Sequence, residues 1–284
     1  MAGGTGHRRR HTSPYMRPAT LLVIWLGLWA TTLWGAQSTP PASQSETGAA
    51  TAGDGGLHRM GLALGGIRHG ALEPMLSPVV YRGDGPATFW SYEYVTGHRR
   101  YSAGLAVSYA RLTSRITTNQ AHFQRLFHVM VSMGTDWRLE GWEPLGITLF
   151  AGGTVDANFS GRLHQYREHT DEFFHEVALP LYVRGAAKWQ SGHHRVWLDL
   201  GAPVLGLTYR TAYNPRALGV IRLAHAGDLR GSRLVCSWER TMTDRLDWRI
   251  SYRLTGHRYD RPLTTRTVHH TLHTGIIFHP RGRP

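Results

Sequence analysis

The sequence predicts an all-β fold, an antiparallel transmembrane β-barrel of about ten strands. Three observations predict it. Apolar and polar residues alternate with a period of two in segment after segment, aromatic residues cluster at segment ends, and short connections alternate with long ones. A period of two places successive side chains on opposite faces of a strand. An apolar face flanked by aromatics, backed by a polar face, is the pattern of a strand that crosses a bilayer in a barrel.

Composition is compatible with this fold. The chain has 284 residues, 41% of them hydrophobic, with 33 Gly, 8 Phe, 10 Trp and 12 Tyr. Bulk hydropathy does not flag such a barrel, because half of each strand faces a polar interior. The formal charge of +13 points to anionic partners, either nucleic acid or acidic head groups. A single cysteine, Cys236, leaves no disulfide framework and no cysteine zinc site.

Residues 1–38 read as a signal peptide. Arg8, Arg9, Arg10 and Arg17 precede an apolar run from Ala19 to Gly35, and Ala36-Gln37-Ser38 offers small residues for cleavage. A membrane anchor is the alternative, since the run is about as short as a spanning helix can be. Export makes nucleic acid an unsuitable partner. Residues 39–56 lack large apolar residues and read as a disordered periplasmic tail. The barrel is expected over 57–278, with 279–284 as a C-terminal tail.

Ten strands are expected, at Leu57–Gly66, Ala87–Val95, Arg100–Leu112, Gln124–Trp137, Leu145–Phe159, Phe174–Trp189, Arg195–Tyr209, Gly231–Met242, Arg245–Thr255 and Thr267–Phe278. The first is glycine-rich and weakly patterned. In the second and third, Trp90, Tyr92 and Tyr94, then Tyr101, Ala103, Leu105, Val107 and Tyr109, alternate with small or polar residues. Phe127, Val129, Val131 and Met133 mark the fourth, and Ile147, Leu149, Ala151 and Val155 the fifth. Val177 to Val183 mark the sixth, and Leu246 to Leu254 the ninth. The seventh slips phase near Pro203, where a β-bulge would account for both the slip and the proline.

Connections near Gly97, Gly141, Gly192 and Asp244 are short, whereas 67–86, 113–123, 160–173, 210–230 and 256–266 read as long loops. Outer-membrane barrels have short periplasmic turns and long outer loops. The aromatics Tyr94, Tyr101, Trp137, Trp142, Trp189, Trp238 and Trp248 all lie near short turns, as an interface girdle would.

On the opposite face lie Glu93, Asp156, Glu176, Arg184, Lys188, Asp199, Arg233, Glu239, Arg249 and Arg253. A soluble β-barrel or sandwich would have to bury these charges in a dry core, which is costly unless they are paired. That disfavours a soluble periplasmic binding protein. In a narrow barrel they are expected to pair across the lumen and plug it. Glu93 is expected to pair with Arg249 or Arg253. A narrow, anion-preferring pore gated by Arg184, Arg249 and Arg253 is the alternative.

Among the 18 histidines, His269 and His273 share a strand face but are spaced too widely to chelate one ion, so no metal or other cofactor is expected. Loop candidates for a surface hydrolase are Asp84, His169 with Asp171 and Glu172, His225 with Asp228, and His257 with Asp260. None forms a recognisable catalytic motif, so no catalytic residue is assigned.

The repeat from Leu57 to Phe278 resembles Gram-negative outer-membrane β-barrels as a class, some of them porin-like. The terminal Gly275-Ile-Ile-Phe278 is similar to the assembly signal of such barrels, although His279 to Pro284 follow it. The stretch Ala71–Gly85 resembles loop sequences of Bacteroidota barrels. The resemblance implies the cell outer membrane as location, and lipid, lipopolysaccharide and the barrel-assembly machinery as partners. Omptin proteases share the expected strand number and use an acidic pair and an Asp–His pair at the outer rim. The resemblance therefore leaves three roles open: a structural or surface-binding barrel, a narrow pore, or an outer-rim protease or lipid-modifying enzyme.

Overall fold

The computed structural model describes residues 56–73, 77–114, 123–140, 146–165, 172–210, 220–225, 228–259 and 265–280. The expected signal peptide, most of the tail after it, and Trp142 lie outside these. Eleven strands follow one another: β1 Leu57–Glu73, β2 Ser77–Val95, β3 Arg99–Ser114, β4 Phe123–Leu139, β5 Ile147–Gln165, β6 Glu172–Ser191, β7 His194–Arg210, β8 Val220–His225, β9 Leu229–Thr243, β10 Leu246–Tyr259 and β11 Thr265–Phe278.

Each strand pairs antiparallel with its neighbours, and β1 with β11 closes the wall. β8 and β9 both lie along β7, with His225 opposite Leu205 and Arg233 opposite Gly201. They fill one position in the wall, and between them the Asp228 N–H donates to the His225 carbonyl at 2.9 Å. The wall is thus a closed ten-strand barrel. Closure removes the unpaired edges that a membrane-crossing sheet cannot leave exposed.

The short turns are built as their residues require. Ser191 pairs with His194 across a two-residue loop whose Gly192 has φ 51°, a conformation that glycine adopts without steric cost. At the β2–β3 turn the Thr96 N–H donates to the Arg99 carbonyl at 2.8 Å, and the Thr96 hydroxyl accepts the Arg99 N–H at 3.0 Å. The phase slip near Pro203 is a bulge. Leu181 pairs with Leu205 and Tyr182 with Pro203, so Val204 is the extra residue. Leu198 and Leu200 before it and Leu205 and Leu207 after it all remain on the outer face, 40–55% exposed.

The strands run longer than the sequence pattern indicates. The segment 67–86 is not a long loop: β1 continues to Glu73 and β2 begins at Ser77. The Ala71–Gly85 stretch is therefore mostly paired strand. β8 lies inside the expected loop 210–230, and β5, β6, β10 and β11 reach into theirs. The reason is physical. Beyond the apolar belt both faces of a strand carry polar residues, so the contrast between faces that marks a strand fades. Ile67, His69 and Ala71 alternate with Arg68, Gly70 and Leu72, which is regular structure with little hydrophobic signal.

Following the paired residues once around the wall from Leu57 returns to β1 at His69, a stagger of twelve residues (57 to 69). For ten strands this stagger corresponds to a tilt of about 40°, so each residue climbs roughly 2.5 Å along the barrel axis. On this scale Tyr94, Tyr101, Trp137, Trp189, Trp238 and Trp248 fall within about 6 Å of one height. Tyr109, Phe127 and Phe159 form a second ring about 23 Å higher. Midway between them stand exposed aliphatic side chains: Leu64 (62% exposed), Met133 (64%), Val183 (59%) and Leu200 (55%). An apolar band of roughly 25 Å between aromatic girdles matches the thickness that outer-membrane barrels present to lipid.

Candidate functional site

All ten charged residues expected on the polar face project into the lumen, in the same phase as the buried Ser132, Ser237 and Ser251. At the height of the lower aromatic ring Glu93, Glu239 and Arg249 join residues that the sequence pattern did not single out. Arg59 donates to Glu93 at 2.7 Å and to Glu239 at 2.5 Å. Arg100 reaches Glu93 at 3.0 Å and Asp136 at 3.5 Å. Arg249 spans Glu239 at 2.6 Å and Glu93 at 3.4 Å. Arg195 holds Asp247 at 2.5 Å, and His279 meets the same carboxylate at 2.8 Å. Arg184 pairs with Asp136 and, at 3.4 Å, with Asp199. Glu239, Asp247 and His279 have no solvent exposure, and Arg59 has 2%.

This network draws on β1, β2, β3, β4, β6, β7, β9 and β10, so it crosses the lumen from wall to wall. Aromatic bulk fills the space beside it. Trp197 points inward under the Arg100 guanidinium, 4.5 Å from its centroid, with Lys188 at 5.7 Å on the ring and Phe150 stacked at 5.8 Å. Buried charges persist only when paired in this way, because the desolvation of one lone ion exceeds what packing can offset.

Two further layers lie above. At mid-height Arg233 binds Asp156 at 2.9 and 3.2 Å, and Arg253 stands beside Met130 and Phe89. The expected Glu93 partner Arg249 reaches it, whereas Arg253 lies one layer higher. Near the upper ring, histidines from separate strands meet. His69 and His269 share a hydrogen bond between their Nδ1 atoms at 2.9 Å, and His128 stacks on His269 at 4.8 Å. The Tyr182 hydroxyl lies 3.2 Å from His257 Nε2. Glu176 sits 3.6 Å from Arg162. No group of three or more side chains with metal-binding geometry occurs among the described residues.

The described hydrolase candidates do not assemble into a site. Asp84 faces outward on β2 and accepts two hydrogen bonds from Arg68, at 2.7 and 3.1 Å. His225 and Asp228 approach to 3.3 Å, but His225 shares the outer face with Ile221 and Leu223. His257 lies inside, against Tyr182. His169, Asp171 and Asp260, and the side chain of Glu172, lie outside the described residues.

The outer face carries a second basic feature. Arg68, Arg82, Arg111, Arg125, Arg230, Arg258 and Arg266 all point away from the lumen at or above the upper aromatic ring. Arg258 is registered between Arg230 and Arg266, and Arg111 opposite Arg125. Like charges directly opposite one another on a sheet repel.

Arg59, Arg100, Asp136, Arg195 and Asp247 were absent from the sequence-derived set for one reason: each lies within a few residues of an end of its strand, at the edge of its alternating run. Their signal was parity. Arg100 is in phase with Ser102 and Gly104, Asp136 with Ser132, and Asp247 with Arg249.

No protein-family model matches the sequence, and no curated protein is similar to it in sequence. The fold is similar to that of the outer membrane protease OmpT from Escherichia coli, with a TM-score of 0.50, 7% identity, and coverage of 83% of this chain and 100% of that one. It also overlaps the translocator domain of the autotransporter NalP from Neisseria meningitidis, with a TM-score of 0.41, 8% identity, and coverage of 92% and 96%. At these identities the similarity shows the fold alone: an antiparallel barrel of the outer-membrane type.

Proposed function

We propose that this chain is an outer-membrane barrel with a sealed lumen, which acts through its lipid-facing collar and outer rim and does not conduct. One observation carries the reading: the ion-pair network around Arg59, Glu93, Glu239 and Arg249 crosses the lumen at the height of the lower aromatic girdle. Eight-stranded barrels are filled by side chains and open channels need many more strands, so ten strands with this infill favour closure. The arginine collar supports contact with lipid phosphates, including those of lipopolysaccharide, since guanidinium pairs well with phosphate oxygens. Export by the N-terminal signal and insertion by the barrel-assembly machinery belong to the same reading.

The test is direct. Purified, refolded protein in planar bilayers is expected to give no stable conductance steps, and cell fractionation is expected to place the protein in the outer membrane. Reproducible open-channel steps would overturn the sealed lumen. Recovery wholly in the soluble periplasmic fraction would overturn the membrane assignment.

A further inference from the structure

We infer that the mid-lumen holds a binding site for a small inorganic anion, of chloride to phosphate size, centred on the Arg253 guanidinium. A cavity of about 110 Å³ lies inside the barrel above the Arg59 network, with room for several ordered molecules of water size. A smaller one of about 20 Å³ lies on its far side, and Arg253 borders both.

Arg253 differs from the other lumenal arginines around this cavity. Arg100, Arg184, Arg233 and Arg249 each meet a carboxylate within 3.5 Å. Arg253 has no ion pair among the described residues. Its Nη1 reaches only the Met130 sulfur, at 3.6 Å, and its Nε has no hydrogen-bond partner. The Phe89 ring lies 6.0 Å from the guanidinium carbon. On the wall beside it the registered neighbours are Val235 and Thr271, neither of them acidic. The carboxylates nearest in charge are already engaged, Asp156 by Arg233 and Asp199 by Arg184.

An always-charged guanidinium in an enclosed lumen needs a counter-charge. The cavity supplies the rest of an anion site. Ser102, Ser132, Ser237 and Ser251 line it with hydroxyl donors beside His273, and its two acidic residues, Glu93 and Asp199, are both paired with arginines. Large organic anions do not fit this volume. Asp199 Oδ1 is also without a hydrogen bond, so water bridging Asp199 and Arg253 is the competing occupant. The inference concerns binding and does not depend on whether the lumen conducts.

The test uses the full barrel in detergent, with gluconate as the bulky reference anion at constant ionic strength. Replacing gluconate by chloride or by sulfate is expected to raise the midpoint of the heat-modifiable gel transition in a saturable way, as for any ligand that binds only the folded state. The two anions distinguish a halide site from an oxyanion site. Arg253→Met is expected to abolish the response and to raise the midpoint in gluconate, because it removes an uncompensated charge. Arg253→Lys is expected to keep a weakened response. Crystals grown with bromide are expected to show an anomalous peak against the Arg253 guanidinium, a readout independent of variant folding. No saturable shift together with no anomalous peak would leave water as the sole occupant and overturn the inference. An unchanged response in Arg253→Met would place any anion elsewhere and overturn it equally.

Discussion

Arg59 on β1 and Glu239 on β9 lie 180 residues apart in the chain and 2.5 Å apart in the lumen. The same guanidinium holds Glu93 with its other terminal nitrogen. Arg59 therefore acts as a crossbar joining the first hairpin to β9, three positions round the wall. Glu239 lies within 4 Å of Arg59, Arg195 and Arg249, and Glu93 is likewise shared by Arg59, Arg100 and Arg249.

Replacing Glu239 with Leu should take one carboxylate from three arginines in a buried layer, leaving Arg59 and Arg249 to share Glu93 and Arg195 to rely on Asp247. Breaking a buried pair by removing one partner costs about 3–5 kcal/mol. The expected outcome is a large fall in the urea midpoint of the refolded barrel, followed by heat-modifiable mobility. Glu239→Gln keeps volume and part of the hydrogen bonding, so its loss should be smaller. Equal stability of Glu239→Leu and wild type would mean that Glu93 and Asp247 alone compensate these arginines.

Truncating the crossbar should open the short-turn end. In the double variant Arg59→Ala, Arg249→Ala, two long side chains leave the layer and Glu93 and Glu239 each lose two of their three arginine partners. The variant is expected to show small, cation-preferring conductance steps in planar bilayers where wild type shows none, because the acids then face the path. A silent double variant that is still folded would mean that Trp197, Phe150 and the upper layers also seal the lumen.

Much of this architecture was legible in sequence, and the reasons are specific. Strands such as β3 and β10 cross the apolar belt, where lipid on one side and water-like lumen on the other force a strict alternation. The bulge at Pro203 was legible because Leu198, Leu200, Leu205 and Leu207 are conspicuous on either side of a phase change. The upper strand halves were not legible, because above the belt both faces are polar. The network was half legible: parity identifies which charges face inward, but not that Arg59 reaches Glu239 across the barrel. That pairing follows from stagger and closure, which no single strand encodes. The histidine cluster was missed for the same reason, since His69, His128 and His269 are neighbours only once β1, β4 and β11 face one another across the lumen.

The lipid-facing reading makes a depth-dependent prediction. Leu200 stands midway between the two aromatic rings and is 55% exposed, whereas Trp248 lies in the lower ring at 37%. Arginine on the lipid face costs about 2–4 kcal/mol at the midplane and about 0–1 near an interface. Leu200→Arg should therefore destabilise the barrel in vesicles far more than Trp248→Arg. In urea titrations of vesicle-embedded protein, equal effects would argue that this face meets water.

The bulge predicts an asymmetry between two deletions in one strand. Val204 is the residue without a partner on β6, since Leu181 and Tyr182 pair with Leu205 and Pro203. Deleting Val204 restores unbroken alternation: Pro203 still faces the lumen and Leu205 still faces outward. Deleting Leu198 instead shifts the phase of one half of β7 relative to the other. Either Trp197 and Arg195 turn out of the lumen, or Asp199 and the residues above it do. Deletion of Val204 is therefore expected to leave a folded, heat-modifiable barrel, with a stability change of no more than about 1–2 kcal/mol, within the usual range for single changes. Deletion of Leu198 is expected to abolish folding, because it would expose a paired charge such as Asp199 to lipid or break the Trp197 packing. Refolding yield on semi-native gels compares the two. Equal loss in both variants would mean that the bulge supplies twist the closed wall requires, and that its extra residue is structural.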